Sequence, residues 1–189
     1  MKTVVLGVTG GIAAYKACEL VSRLRKRNVE VFVIMTENAA RFVAPLTFET
    51  LSAHPVVTEM FARETPWEVE HIALAKRADV FAIVPATANI LAKMARGIAD
   101  DMLSTTVLAT KAPVLLAPAM NTGMYTNPAT QENLRILSGR GAHIVGPGTG
   151  RLACGDEGAG RLADIDMIEE ALLALLYPKH DLAGKRILI

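Results

Sequence analysis

The sequence is short of several things, and each shortage narrows what the protein can do. It has only two cysteines in 189 residues, Cys18 and Cys154. They are far apart and outside any C-x-x-C grouping, so neither a disulfide framework nor a thiolate metal site is expected. The four histidines, His54, His71, His143 and His180, have no H-x-x-x-H spacing that could gather a metal ion. Charge nearly cancels, at a net +1, so no basic excess marks a nucleic-acid or anionic-membrane partner, and neither is expected. Apolar runs such as TVVLGV and PVLLAPAM are too short to cross a bilayer, and no secretory signal pattern opens the chain. The expected location is cytoplasmic.

What remains is 51% hydrophobic and has the length of one large domain with a real core. Val/Ile-rich runs alternate with helical stretches. TVVLGV is followed by a helix over 12–27, then EVFVIMT, then ADVFAIVPAT, helices over 89–95 and 102–109, and PVLLAPA. A helix over 128–139 with Asn127 as N-cap, a short strand AHIVG and a closing helix over 164–176 complete the series. The strands are continuously apolar rather than alternating, which predicts burial on both faces of a parallel sheet. The fold class is therefore α/β, a doubly wound, mostly parallel sheet between two helical layers.

Ligands of such sheets bind beyond the carboxyl ends of the strands, so the loops there carry the interest. GVTGGIAAYK follows the first strand, and Gly7, Gly10 and Gly11 allow a tight turn that brings helix N-terminal amides up to an anion. The spacing matches neither G-x-G-x-x-G nor a P-loop, and packing alone also needs glycine here, so both readings stand. Thr36, where a dinucleotide fold wants an acid, argues against NAD; Glu37 beside it either serves that role or, the better reading, is a solvated surface acid. Thr87 and Asn89 either cap a helix or face a ligand. Asn121, just past a buried run, offers donors and an acceptor to a carboxylate or amide. Met120 beside it is a soft wall for a ring or an ordinary gap-filler. His71 at a helix entry could serve as a base, though residue type alone does not separate it from His143. The stretch RLACGDEGAGR sets Cys154 among glycines, either as a small residue in a loose loop or as a thiol with a chemical task.

Several stretches taken together, VTGGIAAYK, MTENAARFV, HIALAKRAD, PATANILAKMARGIADDMLS, PAMN at 118–121 and ACGD at 153–156, resemble the flavin-dependent cysteine decarboxylases. Within them the likeness is to the phosphopantothenoylcysteine (PPC) decarboxylases that form the first part of a bifunctional coenzyme A biosynthesis protein. PAMN with ACGD is the specific pair. The resemblance implies FMN held by Gly10, Gly11, Ile12, Thr36, Asn38, Thr87, Ala88, Asn89, Ala119 and Met120. It implies His71 as catalytic base, Asn121 as the clamp on the substrate's carboxylate and amide, and Cys154 as proton donor. Arg151 and Ala153 would touch substrate from a flexible flap.

The implied reaction is decarboxylation of 4′-phospho-N-pantothenoylcysteine to 4′-phosphopantetheine. It runs by oxidation to a thioaldehyde, loss of CO2 to an enethiol, and reduction. A thiol near its ordinary pKa of ~8.5 retains the needed proton at neutral pH. Homo-oligomers built from trimers, commonly dodecamers, are implied as well, with His71 reaching a flavin bound largely by a neighbour. The tail DLAGKRILI resembles the entry to a phosphopantothenate–cysteine ligase domain, which sets expected boundaries of 1–178 for the decarboxylase domain and 179–189 for linker and first ligase strand. Rival readings are a peptidyl-cysteine decarboxylase, a flavin prenyltransferase, a flavodoxin-like carrier and a non-catalytic FMN-binding regulatory subunit. The joint presence of His71, Asn121 and Cys154 weighs against the last two.

Overall fold

A computed structural model describes residues 1–60, 70–151 and 155–178. Cys154 and Ala153, together with the expected linker and ligase strand at 179–189, lie outside the described residues.

The chain opens with β1 (Lys2–Val8), α1 (Ala14–Lys26) and β2 (Val29–Met35), followed by the short α2 (Glu37–Ala40) and α3 (Pro45–Ser52). Next come α4 (Glu70–Arg77), β3 (Val80–Ala86), α5 (Ala88–Arg96), α6 (Met102–Ala109) and β4 (Val114–Pro118). The last part holds α7 (Thr122–Thr126), α8 (Pro128–Gly139), β5 (His143–Ile144), β6 (Gly148–Arg151), β7 (Glu157–Arg161) and α9 (Ile165–Leu176). β1 to β5 form one parallel sheet in the order β2-β1-β3-β4-β5. This is the flavodoxin-like order, whose switch point falls between β1 and β3.

Period two assigns β1's side chains to the two faces. Val4, Leu6 and Val8 join one core cluster with Leu20, Val21 and Leu24 of α1 and Ile168 and Leu172 of α9. Val5 joins the opposite cluster with Phe81 and Ile83 of β3, Leu91 of α5 and Leu103 of α6. Every residue of β3 is buried, as a central strand covered on both faces requires. The continuous apolar runs thus report their true position. α8 begins as its sequence indicates, with Asn127 Oδ1 accepting from the Ala129 amide at 2.9 Å and Pro128 in the first turn. AHIVG is paired over only His143–Ile144.

One element departs from the sequence reading. The glycine-rich stretch expected as a loop is flanked by strands: β6 and β7 pair antiparallel as a separate ribbon. Glycines at 148, 150, 158 and 160 have little strand propensity, so the ribbon owes its form to its own ladder and to packing on the turn after β4. The amide of Met120 donates to Gly160 O at 2.9 Å.

An ionic seam joins α9 to α1. Buried Glu169 accepts from Arg27 and, at 3.2 Å, from Arg23, which also reaches Asp166. Burial opposes ionisation of Glu169, but the hydrogen bonds from Arg27 and Arg23 outweigh it and hold the carboxyl below its usual range. A depressed folded-state pKa adds stability above the unfolded value and loses it as pH falls through the folded one. Glu169→Gln is therefore expected to lower stability by about 1–2 kcal/mol at pH 7. In denaturant titrations that difference from wild type should shrink progressively as pH falls below the ordinary Glu range.

Candidate functional site

A cavity of about 1330 Å³ opens at the carboxyl rim of the sheet, at the switch point between β1 and β3. That is larger than the ~300–1,000 Å³ of ordinary small-molecule sites. Gly10, Gly11 and Ile12 come from the turn after β1, Thr36 and Asn38 from the end of β2, and Thr87, Ala88 and Asn89 from the end of β3. Ala119, Met120 and Asn121 follow β4, and Arg151 reaches in from β6. These sequence candidates therefore meet in one place.

The first turn is tight for a stated reason. A Cβ on Gly10 would lie 2.4 Å from Asn38 Cβ and 2.9 Å from the Asn38 backbone carbon. Glycine there lets the β1 turn close on the β2 turn and form one wall. Thr9 ties the other side: its buried hydroxyl donates to Pro85 O at 2.7 Å and accepts from the Thr87 amide at 3.1 Å. It thereby bridges the two strand ends that diverge at the switch point.

Neither α1 nor α5 carries a side-chain cap at its start, so the first-turn amides beside the cavity keep their capacity for an anion or carbonyl. Thr87 sits at the N-cap position of α5 without capping it, whereas Thr36 does cap α2, accepting from Ala39 at 3.2 Å. Met35, Ile90, Leu103 and Leu162 supply apolar wall. Lys93 lines the cavity too, but its ammonium is bracketed by Asp100 at 2.5 Å and Asp101 at 2.7 Å.

Asn121 is held at both ends. Its Oδ1 accepts from the Gly123 amide at 2.8 Å, capping α7, and its Nδ2 donates to Asp156 Oδ2 at 2.8 Å. The sequence reading gave Asp156 no role; the only signal was an acid two places beyond Cys154.

His71 does not line the cavity. It stands in the first turn of α4, which precedes β3. His143 begins β5 and lines a different recess, with Lys111 and Arg140. Among the described residues no group of three or more His, Cys, Asp or Glu is placed to hold a metal ion, and no helix is long and apolar enough to cross a membrane.

The family model described as Flavoprotein matches residues 1–177. The coenzyme A biosynthesis bifunctional protein CoaBC of Mycobacterium tuberculosis is 48% identical over 193 residues, an alignment covering 100% of this chain and 46% of that protein. The chain spans about half the length of the curated relatives it matches. Among solved structures, a PPC decarboxylase mutant complexed with pantothenoylaminoethenethiol has a TM-score of 0.84 at 31% identity, covering 91% of this chain and 96% of that one. The FMN-dependent cysteine decarboxylase SpaF has a TM-score of 0.81 at 34% identity, over 94% and 98% of the two chains. With a family match over residues 1–177, the chain belongs to the flavoprotein family.

Proposed function

We propose that this chain binds FMN and decarboxylates 4′-phospho-N-pantothenoylcysteine to 4′-phosphopantetheine and CO2 in coenzyme A biosynthesis. The observation that carries the reading is the convergence of four strand ends on one oversized cavity, with Asn121 on its wall. The cavity fits FMN in kind: glycines where a Cβ would collide, helix starts without side-chain caps, and an apolar wall. Gly10, Gly11, Ile12, Thr36, Asn38, Thr87, Ala88, Asn89, Ala119 and Met120 would hold it. FMN, when bound, supplies the two-electron oxidation that turns CH2–SH into C=S, an electron sink beside the leaving carboxylate, and returns the electrons afterwards.

The chain's own residues bind and move protons. Asn121 orients the carboxylate through its Nδ2, Arg151 and Ala153 border the substrate, and His71 takes a proton as base. Cys154 delivers the final proton to carbon. His71 does not line this chain's own cavity, which supports a role towards cofactor held mainly by a neighbouring chain, in homo-oligomers built from trimers and reaching a dodecamer. The location is cytoplasmic. In the longer protein, the chain continues from a decarboxylase domain over 1–178 into a ligase domain entered near 179–189.

The test mixes the yellow protein with phosphopantothenoylcysteine and follows CO2 and 4′-phosphopantetheine. Wild type yields both. Cys154→Ser is expected to lose about 10²–10⁴-fold in 4′-phosphopantetheine formation, accumulating the oxidised enethiol while the yellow colour bleaches. A colourless protein, or full turnover by the serine variant, would sink the reading.

A further inference from the structure

A cavity that takes FMN takes a phosphate dianion, yet Asp100 and Asp101 stand on the wall of this one. The fold needs the second of these acids. Asp101 caps α6: its Oδ1 accepts from the Ser104 amide at 2.7 Å, and the buried Ser104 hydroxyl accepts from the Asp101 amide at 3.1 Å. A carboxylate is favoured at that position by the positive end of the helix. Burial pushes its pKa up, but hydrogen bonds from Lys93 and Ser104 outweigh the burial and hold the carboxyl below its usual range. Asp101 is therefore ionised at neutral pH.

Lys93 comes from the last turn of α5 and reaches both acids, at 2.5 Å from Asp100 Oδ1 and 2.7 Å from Asp101 Oδ2. Its side chain is 17% exposed, against 33% for Asp101 and 58% for Asp100, so the cation is the charge of the three that water screens least. Burial opposes that charge too, and the bonds to the two carboxylates more than restore it. We propose that Lys93 is a specificity-determining residue for anionic ligands: it cancels charge on the Asp100–Asp101 wall, so that the acid required to cap α6 does not repel the phosphate of FMN. This rests on FMN as the ligand of the cavity. A brace between α5 and α6 would shape the wall for every ligand alike, whereas a counter-ion separates ligands by charge.

The test titrates the full chain, stripped of flavin, with FMN and with riboflavin, which has the same ring system and no phosphate. In Lys93→Met the dissociation constant for FMN is expected to rise about three- to tenfold at low salt, and that for riboflavin less than about twofold. The loss for FMN should shrink at about 1 M salt, where the screening length is ~3 Å. Lys93→Arg keeps the charge and should hold FMN as wild type does. Lys93→Met combined with Asp100→Asn restores the wild-type charge of the cluster without restoring the bridge, and should return FMN to within about twofold of wild type. Asp100→Asn alone leaves the Asp101 cap and its bond to Lys93 in place, so it reads the effect even if Lys93→Met does not fold; it should tighten FMN about threefold and leave riboflavin unchanged. Equal weakening of both flavins in Lys93→Met, no recovery in the double variant, or no gain for FMN in Asp100→Asn overturns the proposal. A wild type that takes up neither flavin removes the cofactor reading itself, and the role of Lys93 with it.

Discussion

Gly10→Ala is expected to raise the dissociation constant for FMN about 10- to 100-fold while leaving the protein folded. The added Cβ would sit 2.4 Å from Asn38 Cβ and 2.9 Å from a backbone carbon, and a backbone does not move aside as a flexible side-chain end does. The turn after β1 must then separate from the turn after β2, opening the wall of the cavity. Overpacking of this kind costs about 1–3 kcal/mol, which corresponds to the stated range if it falls on the bound state. The collision lies at the rim, beyond the paired core of the sheet, so the circular-dichroism spectrum and melting temperature of the flavin-free protein should stay close to wild type. Fluorescence titration of FMN reads the effect. An unchanged dissociation constant would mean that this turn does not shape the cofactor wall.

Gly160→Ala tests the ribbon in the same way and is expected to strike turnover rather than cofactor binding. Gly160 has φ 140°, and a Cβ there would come within 2.3 Å of Met120 O. Alanine must push β7 off the turn after β4, breaking the bond from the Met120 amide and drawing Arg151 away from the cavity and Asp156 away from Asn121. Misplacement of about 1 Å in a positioning element costs roughly 10²-fold in rate, so kcat/KM should fall by about that factor. The main sheet pairs none of its strands with the ribbon, so thermal stability should change little. A variant that lost stability and kept kcat/KM per folded molecule would refute the assignment.

The parts legible in the sequence were those with a period. β1 to β4 announce themselves because each is apolar on both faces, and α1 and α9 because a buried residue returns every third or fourth place. The rim followed from topology, since Gly10, Thr36, Thr87 and Asn121 all come just after a strand. The ribbon was illegible because its glycines carry no pattern and its strands exist only where they pair with each other and lie on residues 120–122. The bond between Asn121 and Asp156 was hidden for a related reason: it spans 35 positions and depends on that ribbon being in place. His71 stands between the two cases. Its helix was expected, but its position off the cavity wall of a single chain could be seen only once α4 was laid against the sheet.

The bridge made by Thr9 has a consequence for the energetics of filling the crevice. Where β1 and β3 part, the carbonyl of Pro85 and the amide of Thr87 both bond to the Thr9 hydroxyl, and buried polar groups left without a partner are costly. One hydroxyl serves both. The divergence of the strands is thus stable without an occupant, and a ligand entering there has no wall to order first. Its contacts are converted into residence rather than into rigidifying the protein, the thermodynamic advantage of a preorganised receptor.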